Sequence, residues 1–123
     1  MKLTNIQMSN YMSALNKVAQ SDKVSGKLAY AIARNMRKIS EEGIEYDMLR
    51  RKIVEKYGEK TDEGFAISPD SPDYEKALQE INEIGNITHD VDIFKVSEDL
   101  ICNSMLNVQD ILSIDFMIEE PTE

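Results

Sequence analysis

His89 is the chain's single histidine and Cys102 its single cysteine, so any nucleophilic or transition-metal chemistry must be built around them. A catalytic thiolate needs a base, and here only His89 could serve. Cys102, set between Ile101 and Asn103, reads instead as a half-buried small apolar residue. His89 with Asp90 and Asp92 has a metal-ligand look. On an extended strand, however, neighbours point to opposite faces, so His89 shares a face with neither aspartate. A zinc site or a catalytic triad would have to use carboxylates almost alone. Asp62-Glu63-Gly64 opens like a calcium loop, but the ligands at alternate positions and the closing glutamate are missing, so it reads as a turn. Glycine-rich phosphate loops and paired-cysteine or paired-histidine motifs are absent from the sequence. The seven methionines read as core filler rather than a soft-metal box. The expectation is a protein that is not an enzyme, with no cofactor, no metal and no catalytic residue.

The elements that would position any site are organised around Ser25 to Gly58. At about 100° per residue, Leu28, Ile32, Met36, Ile39, Gly43, Tyr46, Leu49, Ile53 and Tyr57 fall within roughly 80° of one direction. The stripe keeps its phase through Gly43, which predicts one long helix kinked there; two helices joined at Gly43 are the alternative. Ser25 is the expected N-cap, and Lys56 with Gly58 the C-terminal signal. Tyr30, Ile44 and Met48 make a sparser second stripe, available to another layer or to a partner. Arg50 projects near the main stripe, either packing its stem while its charge reaches the edge, or standing as a paired or ligand-facing arginine.

Before this helix, Thr4 and Gln7 have capping-box spacing, and Met8, Tyr11, Met12, Leu15, Val18 and Ala19 give a helix over about 5–20, antiparallel to the central one. After it come a polar turn over 59–64, a short extended piece at Phe65-Ala66-Ile67, and a third helix over about 72–84 started by Ser71-Pro72 and stopped by Gly85. Ile87, His89, Val91 and Ile93 alternate with polar residues, predicting a small β element near 87–96. Its partner is left open among Lys2-Leu3-Thr4, Phe65-Ala66-Ile67, Asp99 to Cys102, and a second copy of the chain. Asn107 caps a short helix over about 108–118. The fold class is α+β, mainly α, with a single domain over 1–118 and an acidic tail over 119–123.

Charge is the most uneven property of the sequence. Residues 1–60 hold twelve Lys/Arg and seven Asp/Glu, a net of +5, whereas residues 61–123 hold two and sixteen, a net of −14. The acidic half is expected either to fold over the basic helix or to meet a basic partner. Direct nucleic-acid binding is disfavoured by phosphate repulsion. The start Met1-Lys2-Leu3-Thr4 does not read as a signal peptide, and no apolar run approaches the about 20 residues of a membrane span. A lone cysteine fits a reducing cytosol, so a cytoplasmic protein is expected.

Three stretches carry a likeness to known sequences: Gly26-Lys27-Leu28-Ala29-Tyr30-Ala31-Ile32-Ala33-Arg34-Asn35, then Leu49 to Gly58, then Asp62-Glu63-Gly64. In these the chain resembles a family of small proteins of phages and prophages of Gram-positive bacteria, a domain of unknown function of the lactococcal temperate-phage type. The resemblance implies a phage origin and brings no catalytic residues with it.

Three functions compete. The leading expectation is an acidic phage-encoded binding protein that occupies a basic surface, as an anti-CRISPR-like inhibitor of a host defence nuclease would. The second is a virion or assembly component acting as a homo-oligomer. The third is a small-ligand or nucleotide sequestering protein, with a pocket between the central helix and the strand lined by Arg50, Arg51 or Tyr57. The candidate partner-binding residues are Tyr30, Ile44, Met48, Arg50, Asp90, Asp92 and Asp99.

Overall fold

The computed structural model describes residues 1–24 and 26–119 of the 123. Its elements are β1 (Lys2–Thr4), α1 (Asn5–Ala19), α2 (Gly26–Glu42), α3 (Ile44–Tyr57), β2 (Glu59–Thr61), β3 (Gly64–Ala66), α4 (Tyr74–Gly85), β4 (Thr88–Asp90), α5 (Glu98–Cys102), α6 (Val108–Ser113) and a final 3-10 turn (Asp115–Met117). The fold is α+β and mainly α, with two small antiparallel strand pairs, β1–β4 and β2–β3.

The chain starts helix α1 as its sequence dictates. Gln7 N–H donates to Thr4 Oγ1 at 3.0 Å, and Thr4 N–H donates to Gln7 Oε1 at 2.9 Å, so two orphan donors are satisfied reciprocally. Met8, Leu15 and Val18 are buried. They pack with Leu28, Ala31, Ile32 and Ile39 of α2 to form the heart of the core. The expected central helix is present as two segments, α2 and α3, interrupted at the single residue Gly43 (φ −92°, ψ 2°). Main-chain bonds from Gly43 to Ile39 O and from Asp47 to Gly43 O flank the interruption. Downstream, burial follows the predicted stripe only at Tyr46; Leu49 is 46 % exposed. The cap expected at Ser25 falls outside the described residues.

Gly58 ends α3, as the C-terminal signal implied, but without the left-handed backbone that glycine commonly takes there. It is extended instead (φ −96°, ψ 176°). Its requirement is space: a Cβ there would stand 2.5 Å from Val54 O and 2.6 Å from Ala66 O. The predicted polar turn over 59–64 is a β-hairpin, Glu59 pairing with Ala66 and Thr61 with Gly64. Gly64 carries φ 120°, a conformation open to glycine and costly for other residues. Helix α4 begins two residues later than Ser71-Pro72 suggested, with Asp73 as its N-cap.

Of the four candidate partners for the 87–96 element, the N-terminal strand is the one used: Leu3 stands opposite His89 and Thr4 opposite Thr88. The ladder stops at Asp90, yet burial keeps alternating, with Val91 and Ile93 inside and Asp92 and Phe94 outside. Asn35, fully buried on α2, takes over as pairing partner. Its Nδ2 donates to Phe94 O at 2.9 Å and its Oδ1 accepts from Phe94 N–H at 2.7 Å. Met1 O accepts from Val91 N–H, and Met117 O accepts from Val96 N–H. The backbone is thus satisfied without a third strand.

Asp99 to Cys102, one of the strand candidates, is helical as part of α5. The predicted helix over 108–118 ends at Ser113 and continues as the 3-10 turn; Asn107 caps it as expected, its Oδ1 accepting from Asp110 N–H at 2.8 Å. The C-terminal segment is clamped by Phe116 stacked on Tyr11 at 4.0 Å, and by Glu119 N–H donating to Val96 O. Residues 120–123 of the proposed tail lie outside the described residues.

Candidate functional site

Along α1, one side of the helix carries small polar groups at turn spacing: Asn5, Ser9, Ser13 and Asn16. Met8 and Met12 stand beside them. A cavity of about 370 Å³ lies between α1 and the α2–α3 junction at Gly43. Its second wall is Ile39, Ser40 and Gly43, and its third is Tyr46, Asp47 and Arg50. The size falls within the range of about 300–1,000 Å³ usual for small-molecule sites.

Asn5 and Arg50 are the two lining residues with the most distinctive polar surroundings. Asn5 is 5 % exposed, and its Nδ2 donates to Ile84 O at 2.7 Å. That bond fixes which end of the amide is nitrogen, because a carbonyl oxygen only accepts. Its Oδ1 is buried and has no partner among the described residues. The other is Arg50. Its guanidinium lies 5.3 Å from the centre of the buried Tyr46 ring and touches Asp47 Oδ1 at 3.4 Å, with its side chain 42 % exposed. The walls hold serine hydroxyls but no histidine, cysteine or lysine.

The residues singled out from sequence do not converge on one site. Arg50 lines this cavity; Arg51 does not, and Tyr57 faces a separate depression beside Gly58, donating to Glu80 at 3.2 Å. The pocket expected between the central helix and the strand is therefore formed against α1. Tyr30 is exposed, accepts a bond from Arg34 at 3.4 Å and meets the edge of Phe94. It shares a shallow groove with Asp92, Lys38 and Lys95. Asp92 is not free: Lys38 Nζ lies 3.5 Å from its carboxylate and donates to its carbonyl at 2.7 Å. Asp90 pairs with the amino group of Met1 at 3.2 Å. Asp99 is exposed in the first turn of α5, and Ile44 and Met48 are exposed on α3.

Lys38–Asp92, Lys56–Glu80 and Glu42–His89 all join the basic half to the acidic half, so the second half does fold over the first. Lys56 is held above its ordinary value by its contact with Tyr57 and then by the Glu80 carboxylate. His89 Nδ1 stands 3.4 Å from Glu42 Oε2 while Nε2 is buried without a partner among the described residues. Cys102, expected half-buried, is exposed, because α5 turns Ile101 inward. Among the described residues no group of three or more His, Cys, Asp or Glu could hold a metal ion, and no helix is long and apolar enough to cross a membrane.

Asn5 and Asn35 were not singled out from the sequence, although both are buried. The stripe Asn5, Ser9, Ser13, Asn16 was a readable signal: small polar residues beside an apolar face mark a wall that does not pack tightly. Comparison with protein-family models, with curated proteins and with solved structures finds no match to this chain.

Proposed function

We propose that this protein is a non-enzymatic binding protein whose acidic half docks on a basic surface of a macromolecular partner. One observation carries the reading. Of the carboxylates in the second half, Glu80, Asp90 and Asp92 are neutralised by ion pairs, whereas Asp62, Glu63, Glu75, Glu83, Glu98 and Asp99 are exposed and unpaired among the described residues. Glu75 and Glu83 flank Gln79 and Asn82 along a shallow groove on α4, with Leu78 as an apolar contact. A surface of this kind suits a basic groove that otherwise holds nucleic acid. The likeness of residues 26–35 and 49–58 to a phage family supports a target inside an infected bacterium, such as a defence nuclease.

The test is capture of nucleic-acid-binding proteins from a bacterial lysate on the immobilised protein. Retention is expected at low salt, release as screening shortens to about 8 Å near 0.15 M and below beyond it, and loss in Glu75→Lys/Glu83→Lys. Retention indifferent to both salt and charge reversal refutes the proposal. A second reading, assembly into homo-oligomers, is favoured by Ile44 and Met48, which are 55 % and 52 % exposed one turn apart on α3. Light scattering of the wild type and of Met48→Glu separates it from the first.

A further inference from the structure

We infer that Met105, Val108 and Leu112, on the outer face of α6 and the segment leading into it, form a docking surface for an amphipathic helix of a partner protein, one that carries lysine or arginine beside its apolar stripe. The surface shares no residue with the groove on α4, so either proposal can fail alone.

Exposure is the first observation. Met105 is 77 % exposed, Val108 71 % and Leu112 67 %, and no other large apolar side chain of the described residues exceeds 57 %. Val108 and Leu112 stand one turn apart on α6, hence on one side of it. The segment is held firmly from within. Asn107 caps α6, its Oδ1 accepting from Asp110 N–H. Leu106 before the helix and Ile114 and Met117 after it are buried in the core, and Phe116 is stacked on Tyr11. With its inner side anchored, the helix presents its outer apolar groups in a fixed arrangement, which lowers the ordering cost of binding. The thioether of Met105 can adapt to the side chains laid on it.

Charge sets the partner. From Val96 to Glu119 the chain holds five carboxylates, Glu98, Asp99, Asp110, Asp115 and Glu119, and no lysine or arginine. None of the five is in an ion pair among the described residues. Asp115, three residues beyond Leu112, is exposed. A second copy laid on the same face about a two-fold axis would bring like carboxylates together. An anionic membrane would meet the same repulsion. A helix with an apolar stripe and flanking cations answers both properties: it covers the three apolar side chains and brings its charges to the carboxylates.

Calorimetric titration with a helical peptide of about 18 residues, leucine on one face and lysine on the other, tests the proposal. At about 0.15 M salt, where distant charges are screened, the peptide is expected to bind saturably at a single site. Replacing its leucines by serine, or its lysines by glutamate, should weaken binding at least about tenfold. Val108→Ser/Leu112→Ser, which keeps the charge of the chain, should weaken it by a similar factor, with a melting curve to verify its fold. Glu75→Lys/Glu83→Lys should still bind the peptide; loss of binding there would place the peptide on α4 and overturn the proposal while leaving the α4 reading intact. The idea is also overturned by equal binding of the serine peptide, by unchanged binding in a folded Val108→Ser/Leu112→Ser, or by absence of heat at about 0.1 mM peptide. A wild-type dimer that this double variant dissociates, or binding to phosphatidylcholine vesicles that it abolishes, would assign the face to a second copy or to a membrane instead.

Discussion

Replacing Asn35 by alanine tests how the extended segment after β4 is held. Asn35 is fully buried, and its amide makes both hydrogen bonds to the main chain of Phe94, at 2.9 and 2.7 Å, with Met117 Sδ a further 3.7 Å contact. Alanine removes both bonds at once and leaves the Phe94 N–H and C=O facing a new hole. A buried group stripped of its partner costs about 1–3 kcal/mol. Phe94 itself is partly exposed, so water can reach the site and the lower half of that range applies to each group. The expected loss is about 2–4 kcal/mol, or about 8–16 °C in Tm for a chain of this length. Urea unfolding followed by circular dichroism measures it, and the slope m should stay constant because the surface exposed on unfolding is nearly unchanged. Asn10→Ala, at an exposed site on α1, is the control and should stay within about 0.5 kcal/mol of wild type. A loss below about 0.5 kcal/mol for Asn35→Ala would mean that this amide does not stand in for a strand.

Two further outcomes follow from the same geometry. Gly58→Ala should destabilise by about 1–3 kcal/mol, because its Cβ would meet two main-chain oxygens, Val54 O and Ala66 O, that cannot step aside; an unchanged midpoint in urea refutes this. Lys56 is held above its usual 10.5 by Tyr57 and Glu80, so its contribution is complete at neutral pH and is lost as pH climbs through the raised value. Lys56→Met should therefore flatten the alkaline limb of the stability–pH curve and leave its acid limb alone, which thermal melts across pH will show.

Short-range rules were enough for the starts of α1 and α6 and for the alternation after Ile87. Thr4 and Gln7 specify the start of α1, Asn107 caps α6, and the alternation after Ile87 gives inward Val91 and Ile93, because each depends on neighbours within a few residues. The resemblance to a phage family, by contrast, remains an expectation carried by sequence alone. The break at Gly43 was visible as a candidate, but phase alone could not separate a kinked helix from two. A hydrophobic stripe continues across a one-residue interruption that leaves the chain near the helical region.

Other features depended on parts of the chain far apart in sequence. Gly58 looked like a helix stop, and its actual constraint comes from Ala66 on a strand that folds back over it. Asn35 carried no local mark of its role, because its partner lies 59 residues away. Arg50 was legible as an arginine near an apolar stripe, yet only α1, packed opposite, turns its surroundings into a cavity. The sequence by itself determined where α1 and α6 begin, which residues after Ile87 turn inward and how unevenly charge is distributed, since those are properties of adjacent residues. Tertiary structure decided which polar groups are buried, which carboxylates are neutralised and that a cavity opens between α1 and the α2–α3 junction, since burial and pairing exist only once distant segments meet.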